Sequence, residues 1–173
     1  RNAMSANKFN NIIEVYSGEL NSNGKKHGKG KLIYADNSEY DGDWRNDKRH
    51  GKGKYTDDNN AYTGDWRDGK KHGKGTYLCS NGHMYDGEWV DDKKHGHGAY
   101  KSPTGTVYVG EWREDKRHGT GRCEYADGNT YNGEWKDDKR NGEGECVYAD
   151  QTVYDGEWKD DKKHGKGAYT DYG

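Results

Sequence analysis

The sequence predicts an all-β fold: an elongated, single-layer, twisted antiparallel sheet, built as a meander of β-hairpin repeats and not closed into a barrel. Three observations predict it. A pattern Tyr-x-Gly-[Asp/Glu]-[Trp/Leu] begins at Tyr16, Tyr40, Tyr62, Tyr85, Tyr108, Tyr131 and Tyr154. A period near 23 residues held over about seven copies is the signature of a repeat architecture. Glycine is frequent and proline occurs once, at Pro103, and no apolar period of 3.6 appears, so helix is disfavoured throughout. Within a copy, period 2 places Tyr131, Gly133 and Trp135 on one strand face and Asn132 and Glu134 on the other.

The averages alone read differently. The chain is 27% hydrophobic and 35% charged, with a mean hydropathy of -1.59, values typical of chains that bury too little to fold. The apolar surface is instead concentrated in 15 Tyr and 6 Trp at regular spacing, which lets a sheet serve as its own core. The net charge of -2 is finely mixed, so no long-range field favours nucleic acid. No apolar run approaches the length of a membrane-spanning helix, and no signal peptide or lipidation motif is recognisable. Cys79, Cys123 and Cys146, without a CxxC, fit a reducing compartment, and a cytoplasmic location is the expectation.

In chain order, Arg1 to Met4 looks like a cloning remnant, and Ile12 to Val15 alternate as a lead-in strand; residues 1–15 are therefore set apart from a repeat domain at 16–173. The first copy has Leu20 in place of Trp and an extra residue in Asn21 to Gly24, as expected of a terminal cap. The second is a residue short after Gly53, so its loop should differ. The last stops soon after Tyr169, as if cut from a longer protein.

Two kinds of turn join the strands. Asp137-Asp138-Lys139-Arg140 forms a loop of two or four residues, either of which places Trp135 opposite Gly142 and Gly133 opposite Gly144. Gly24 and Gly69 replace Asp where a positive φ is wanted. Ala126-Asp127-Gly128 suits a three-residue hairpin that sets Trp135 beside Gly119. The indole is then flanked by glycine on both sides, and a ring lying across a glycine covers its backbone. About fourteen strands at ~4.8 Å spacing make a ribbon roughly 60 Å long with two open edges.

Candidate chemistry is sparse. His27, His50, His72, His95, His118 and His164 recur once per copy, but equivalent positions two strands apart, ~9.6 Å, cannot share an ion; each is read as closing a hairpin near the acidic turn. His97 adds a second His in one copy without a suitable partner spacing. The pairs Asp91-Asp92, Asp137-Asp138 and Asp160-Asp161 lack the alternating ligands of a calcium loop and are read as turn formers. Cys123 and Cys146 are too far apart for a disulfide by the same spacing and are read as small packing residues. No nucleophile triad or nucleotide loop is present, so no catalytic residue, metal or cofactor is assigned and the chain is expected not to be an enzyme.

Two surfaces remain. The ring face, carried by Tyr62, Trp66, Tyr85, Trp89, Tyr108, Trp112, Tyr131, Trp135, Tyr154 and Trp158, offers a groove for a partner peptide or amphipathic helix. The basic pairs Lys70-Lys71, Lys93-Lys94, Lys116-Arg117, Lys139-Arg140 and Lys162-Lys163 form a margin that anionic lipid headgroups could contact, although neighbouring acids leave it nearly neutral. Open edges also permit self-association.

The unit Tyr-x-Gly-Glu-Trp-x-x-Asp-Lys-Lys-His-Gly-x-Gly, whole at Tyr85 to Gly98 and at Tyr154 to Gly167, closely resembles the MORN repeat (membrane occupation and recognition nexus) over about residues 16–170. Leu20, Asn141 in place of the usual His, and the two length changes depart from it; the stretched first copy also looks like that of radial spoke head members. The resemblance implies a non-catalytic interaction scaffold, because family members occur in junctional membrane proteins, axonemal spokes, and parasite cytoskeletal and division structures. Some grip a partner peptide along the sheet's groove. It also implies two alternatives: a tether for phosphoinositide or phosphatidylserine, and the targeting arm of an enzyme, as in plant phosphatidylinositol phosphate kinases, whose catalytic domain lies beyond residue 173.

Overall fold

The computed structural model describes residues 2–7 and 12–172, with side chains from residue 13 onward. The fold is all-β, with no helix among the described residues. Two compact units divide it: the first runs to Asn81 and takes in Trp89–Asp92, and the second holds Gly82–Glu88 and continues from Lys93.

In the first unit β1 (Asn2–Asn7), β2 (Ile12–Leu20), β3 (Lys26–Ile33), β4 (Glu39–Arg45), β5 (Lys48–Thr56), β6 (Asn60–Arg67) and β7 (Lys70–Cys79) pair in chain order, each antiparallel to the next. β8 (Met84–Val90) contributes residues to both units. In the second, β9 (Lys93–Lys101), β10 (Val107–Arg113), β11 (Lys116–Glu124), β12 (Thr130–Lys136), β13 (Lys139–Val147), β14 (Val153–Lys159) and β15 (Lys162–Thr170) do the same. In neither unit does the last strand return to the first, so the sheet is open as the sequence predicts. The lead-in strand is longer than Ile12 to Val15, and β1 precedes it in the stretch that the sequence reading set aside.

The register on one side of each Trp is as expected, with Gly119 opposite Trp135 and Gly121 opposite Gly133. On the other side it is not. Trp135 pairs with Arg140, not Gly142, and Gly133 pairs with Gly144 only after a bulge. The physical reason lies in the turn. Asp137 and Asp138 both take positive φ, 48° and 69°, the backbone of a two-residue hairpin whose twist matches the strands. Lys139 and Arg140 therefore enter the strand, and the surplus residues bulge out around Gly142 at φ 103°. The carboxylate of Glu134 spans the bulge and accepts the Glu143 N–H.

The return loops match the reading. Tyr125 N–H donates to the Asn129 carbonyl and Gly128, at φ 87°, donates back to Tyr125. In the shortened second repeat the loop contracts to Asp58 and Asn59, with Asp57 N–H bonded to the Asn60 carbonyl.

The rings are the core of each unit. Tyr40, Tyr62, Tyr85, Tyr108 and Tyr131 are all buried to 2% exposure or less. It is the tyrosine, not the tryptophan, that covers the glycine: a Cβ on Gly121 would sit 2.2 Å from the Tyr108 hydroxyl oxygen and 2.5 Å from its Cζ. Trp135 instead stands edge-to-face between Tyr108 and Tyr131, at centroid distances of 5.3 and 5.1 Å, a geometry that adds about 0.5 to 1.5 kcal/mol per pair beyond area burial. Its Nε1–H donates to the Gly121 carbonyl at 3.0 Å, and the Tyr131 hydroxyl donates to the Glu134 carbonyl at 2.8 Å. No second layer is needed.

Burial, chiefly, holds the phenol pKa of Tyr40, Tyr62, Tyr85, Tyr108 and Tyr131 above the ordinary value of 10.0. The folded state keeps these protons where the unfolded chain releases them, so the stability they contribute is complete below pH 10 and is lost as pH rises beyond it. The midpoint of urea unfolding is expected to hold level up to about pH 9 and to fall steeply above about pH 10. A level midpoint up to pH 11.5 would contradict the tyrosine core.

Candidate binding groove

The ring-face residues of the sequence reading line up as expected along one face of each unit, but they form its floor. Tyr62 and Trp66 in the first unit, and Tyr108, Trp112, Tyr131, Trp135, Tyr154 and Trp158 in the second, are between 0% and 5% exposed; Tyr85 and Trp89 are buried to the same degree. What stands above the floor was not read from the sequence. In every basic pair but the last, the second member turns inward and stacks on the tryptophan of the following repeat. Arg49 lies 4.3 Å from the Trp66 centroid, Lys71 4.3 Å from Trp89, Lys94 4.4 Å from Trp112, Arg117 4.3 Å from Trp135 and Arg140 4.3 Å from Trp158. Lys163 reaches Tyr148, Tyr154 and Tyr169. Each stack is a cation–π contact.

The margin is therefore less basic than the pairs imply. Lys70, Lys93, Lys116, Lys139 and Lys162 remain exposed, and Lys93 is paired with Glu114.

The turn aspartates do more than turn. Asp138 Oδ1 accepts the Arg117 N–H at 2.9 Å, and Asp138 N–H donates to the Arg117 carbonyl at 3.0 Å. The same reciprocal clasp joins Lys26 to Asp47, Lys71 to Asp92, Lys94 to Asp115 and Arg140 to Asp161. A spacing between consecutive repeats, Lys/Arg followed 21 residues later by the Asp at the second position of the next turn, carries it in the sequence. Asp138→Ala is expected to cost about 1 to 3 kcal/mol, because it removes a carboxylate bond and keeps a strained φ. Asp138→Gly should cost less, since glycine takes φ 69° freely; equal losses in urea titrations would show that the turn's strain is negligible.

Two of the histidines meet the acidic turn of the next repeat and not their own: His50 Nδ1 faces the Asp68 N–H at 3.4 Å, and His72 Nδ1 faces that of Asp91 at 3.5 Å; the buried Nδ1 atoms of His95 and His118 have no hydrogen-bond partner among the described residues. No group of three His, Cys, Asp or Glu among the described residues could hold a metal ion. Cys123 and Cys146 are buried, as small residues opposite Tyr131. Where they stand, repeats two to four carry Tyr55, Tyr77 and Tyr100; repeats five and six restore the ring two residues on, at Tyr125 and Tyr148. Every one of these second tyrosines is half-buried.

In the first unit a cavity of about 430 Å³ opens on this face, lined by Tyr34, Arg49, Tyr55, Asn60, Lys71 and Tyr77 among others. The Tyr77 hydroxyl donates to Asn60 Oδ1 at 2.7 Å, and burial, with a hydrogen bond to Cys79, pushes its pKa up to about 12. In the second unit one of about 430 Å³ is lined by Lys94, Tyr100, Ser102, Thr104, Thr106 and Arg117 among others. Each offers hydroxyls, ring edges and half-covered cations.

Comparison with known proteins gives three findings. No curated relative matches the chain. Among solved structures, the SAS-4 (dCPAP) TCP domain in complex with a proline rich motif of Ana2 (dSTIL) of Drosophila melanogaster is similar at 13% identity and a TM-score of 0.47, over 81% of this chain and 77% of that one. The model of the MORN repeat matches residues 16–39, 40–61, 62–84, 85–107, 108–130, 131–153 and 154–172. Those boundaries begin at the seven tyrosines that set the period, and with seven consecutive repeats spanning nearly its whole length the chain belongs to the MORN-repeat family.

Proposed function

We propose that the chain is a non-catalytic interaction scaffold that binds a partner peptide across the ring-floored face. One observation carries this reading: repeats two to six each present a half-buried cation seated on a buried indole, with a half-buried tyrosine near it. Arginine and aromatic side chains in well-packed, partly desolvated settings are the residues that dominate binding energy at protein interfaces. The buried floor keeps them rigid, which lowers the cost of ordering them on binding. A place in a cytoskeletal or membrane-associated assembly belongs to the same proposal and rests on family membership.

The test is selection of a displayed random-peptide library on the whole chain. Tyr55→Leu and Tyr100→Leu, one in each unit, remove a hydroxyl and a ring edge and keep most of the buried volume. Peptides selected on the parent protein are expected to lose about tenfold in affinity, or 1.4 kcal/mol, for a variant that still melts cooperatively. Unchanged affinity for both variants would sink the reading.

A further inference from the structure

Arg117 and Arg140 each have a carboxylate. Arg117 Nε–H donates to Asp138 Oδ1 at 3.2 Å and its Nη2 to the Asp138 carbonyl at 2.9 Å; Arg140 makes the same pair of bonds to Asp161, at 3.3 and 2.9 Å. Arg49 occupies the equivalent place one unit earlier, but the residue its turn partner supplies is Gly69. The backbone half of the contact survives, with Nη2 donating to the Gly69 carbonyl at 3.1 Å and Gly69 N–H donating to the Arg49 carbonyl. The carboxylate half is missing, and among the described residues no acid stands within ion-pair distance of the guanidinium. Of five N–H donors fixed in a fork, one is used. The group is nevertheless held in place, stacked on Trp66 at 4.3 Å and flanked by Tyr55 at 5.4 Å and Tyr40 at 5.8 Å. It also lines the cavity of the first unit.

We infer that this cavity is a carboxylate-recognition site: Arg49, stacked on Trp66 and left without the aspartate its counterparts have, takes an Asp or Glu side chain of the bound peptide. The inference rests on the peptide-binding reading above and names the chemistry of its anchor. Charge on the walls narrows the ligand. Asp36, Asp57 and Asp92 line the same cavity with Arg49 and Lys71. Each of those carboxylates is turned to protein donors: Asp36 to the N–H and hydroxyl of Ser38, Asp57 to the N–H groups of Asn59 and Asn60, and Asp92 to the N–H of Lys71. Their negative field still reaches the cavity and disfavours a dianionic phosphate more than a singly charged carboxylate. A guanidinium fork matches a carboxylate in bidentate geometry, and stacking pre-organises it.

The turn supplies a specific test. A Cβ at Gly69 meets nothing within 4 Å, and its φ of 87° is close to the 68° and 70° of Asp47 and Asp92 at the same turn position in the same unit. Gly69→Asp therefore gives Arg49 an internal carboxylate and should close the site without disturbing the sheet. The first measurement follows the Nε–Hε signals of Arg49, Arg117 and Arg140 by NMR during addition of sodium acetate, with sodium chloride as the ionic-strength control. Acetate is expected to shift Arg49 saturably and more than the other two, and Gly69→Asp should abolish the difference. The second measures binding of the peptide acetyl-Gly-Tyr-Xaa-Tyr-Gly-amide with Xaa as Glu, Gln or phosphoserine. The Glu peptide should bind about tenfold tighter than the Gln peptide, and both Gly69→Asp and Arg49→Met, which keeps the stem over Trp66, should erase that preference.

An Arg49 signal that moves no more than that of Arg117 overturns the site, however the peptides behave. So does a phosphoserine peptide that binds tightest through Arg49, which makes the site one for phosphopeptides. If acetate shifts Arg49 and none of the peptides binds, the carboxylate site stands and the peptide reading of the groove fails.

Discussion

Trp135→Ala is expected to destabilise the second unit by about 3 to 5 kcal/mol, the range for deleting a large aromatic from a packed interior. The indole is 3% exposed, and its removal leaves four groups without their partner at once. The Gly121 carbonyl loses its donor, the edges of Tyr108 and Tyr131 lose a ring, and Arg117 loses the surface it lies on. Because a repeat bonds only to its neighbours, the damage should stay local. Amide hydrogen exchange is expected to quicken most in β11, β12 and β13, with β9 affected least. Uniform loss of protection over the second unit would mean that its repeats unfold as a single block.

Gly121→Ala should be nearly as severe although it adds one carbon. The new methyl would overlap the Tyr108 ring, and since that ring is fully buried between Trp112 and Trp135 it has nowhere to go. A cost of about 3 kcal/mol is expected, the upper part of the range for overpacking. Gly128→Ala provides the control: its φ of 87° makes alanine strained, but the nearest atom to a new Cβ is Ala149 Cβ at 3.5 Å, so about 1 kcal/mol is expected. If Gly121→Ala costs no more than Gly128→Ala in urea titrations, ring cover is not the reason for the glycine. Combining Gly121→Ala with Tyr108→Ala should cost less than the two losses added together, because the second change removes the obstacle to the first.

The sequence made the strands and their two faces legible because the side-chain period of 2 is visible wherever Tyr131, Gly133 and Trp135 alternate with polar residues. The return loop at Gly128 was legible for a similar reason: a glycine at the end of a three-residue loop has one well-populated use. The Asp137–Asp138 turn was not. Two consecutive non-glycine residues with positive φ are uncommon, and the reading let Gly142 be an ordinary strand partner instead of the bulge that absorbs the surplus residues. That misplacement had a functional consequence. With Gly142 set opposite Trp135 by either loop length, the position of Arg140 over Trp158 was hidden, and the cation row was assigned to the margin. The clasps were invisible for another reason: they link residues 21 apart through side chains, and no local spacing rule contains them.

Asp138 holds a backbone conformation that costs free energy in isolation, and it recovers that cost through a bond to Arg117, a residue of the repeat before it. A single repeat cut from the array would keep the strained turn and lose the compensating bond. Folding of each hairpin is thus coupled to that of its predecessor, and the coupling is reciprocal, since the one bond is shared by both repeats. Gly69 is a break in that rule. Its turn keeps a positive φ at Asp68, 50°, but glycine at the second position needs no compensation and receives only the backbone half of the bond, so the third repeat can form with less help from the second than any other that follows an Asp-bearing turn.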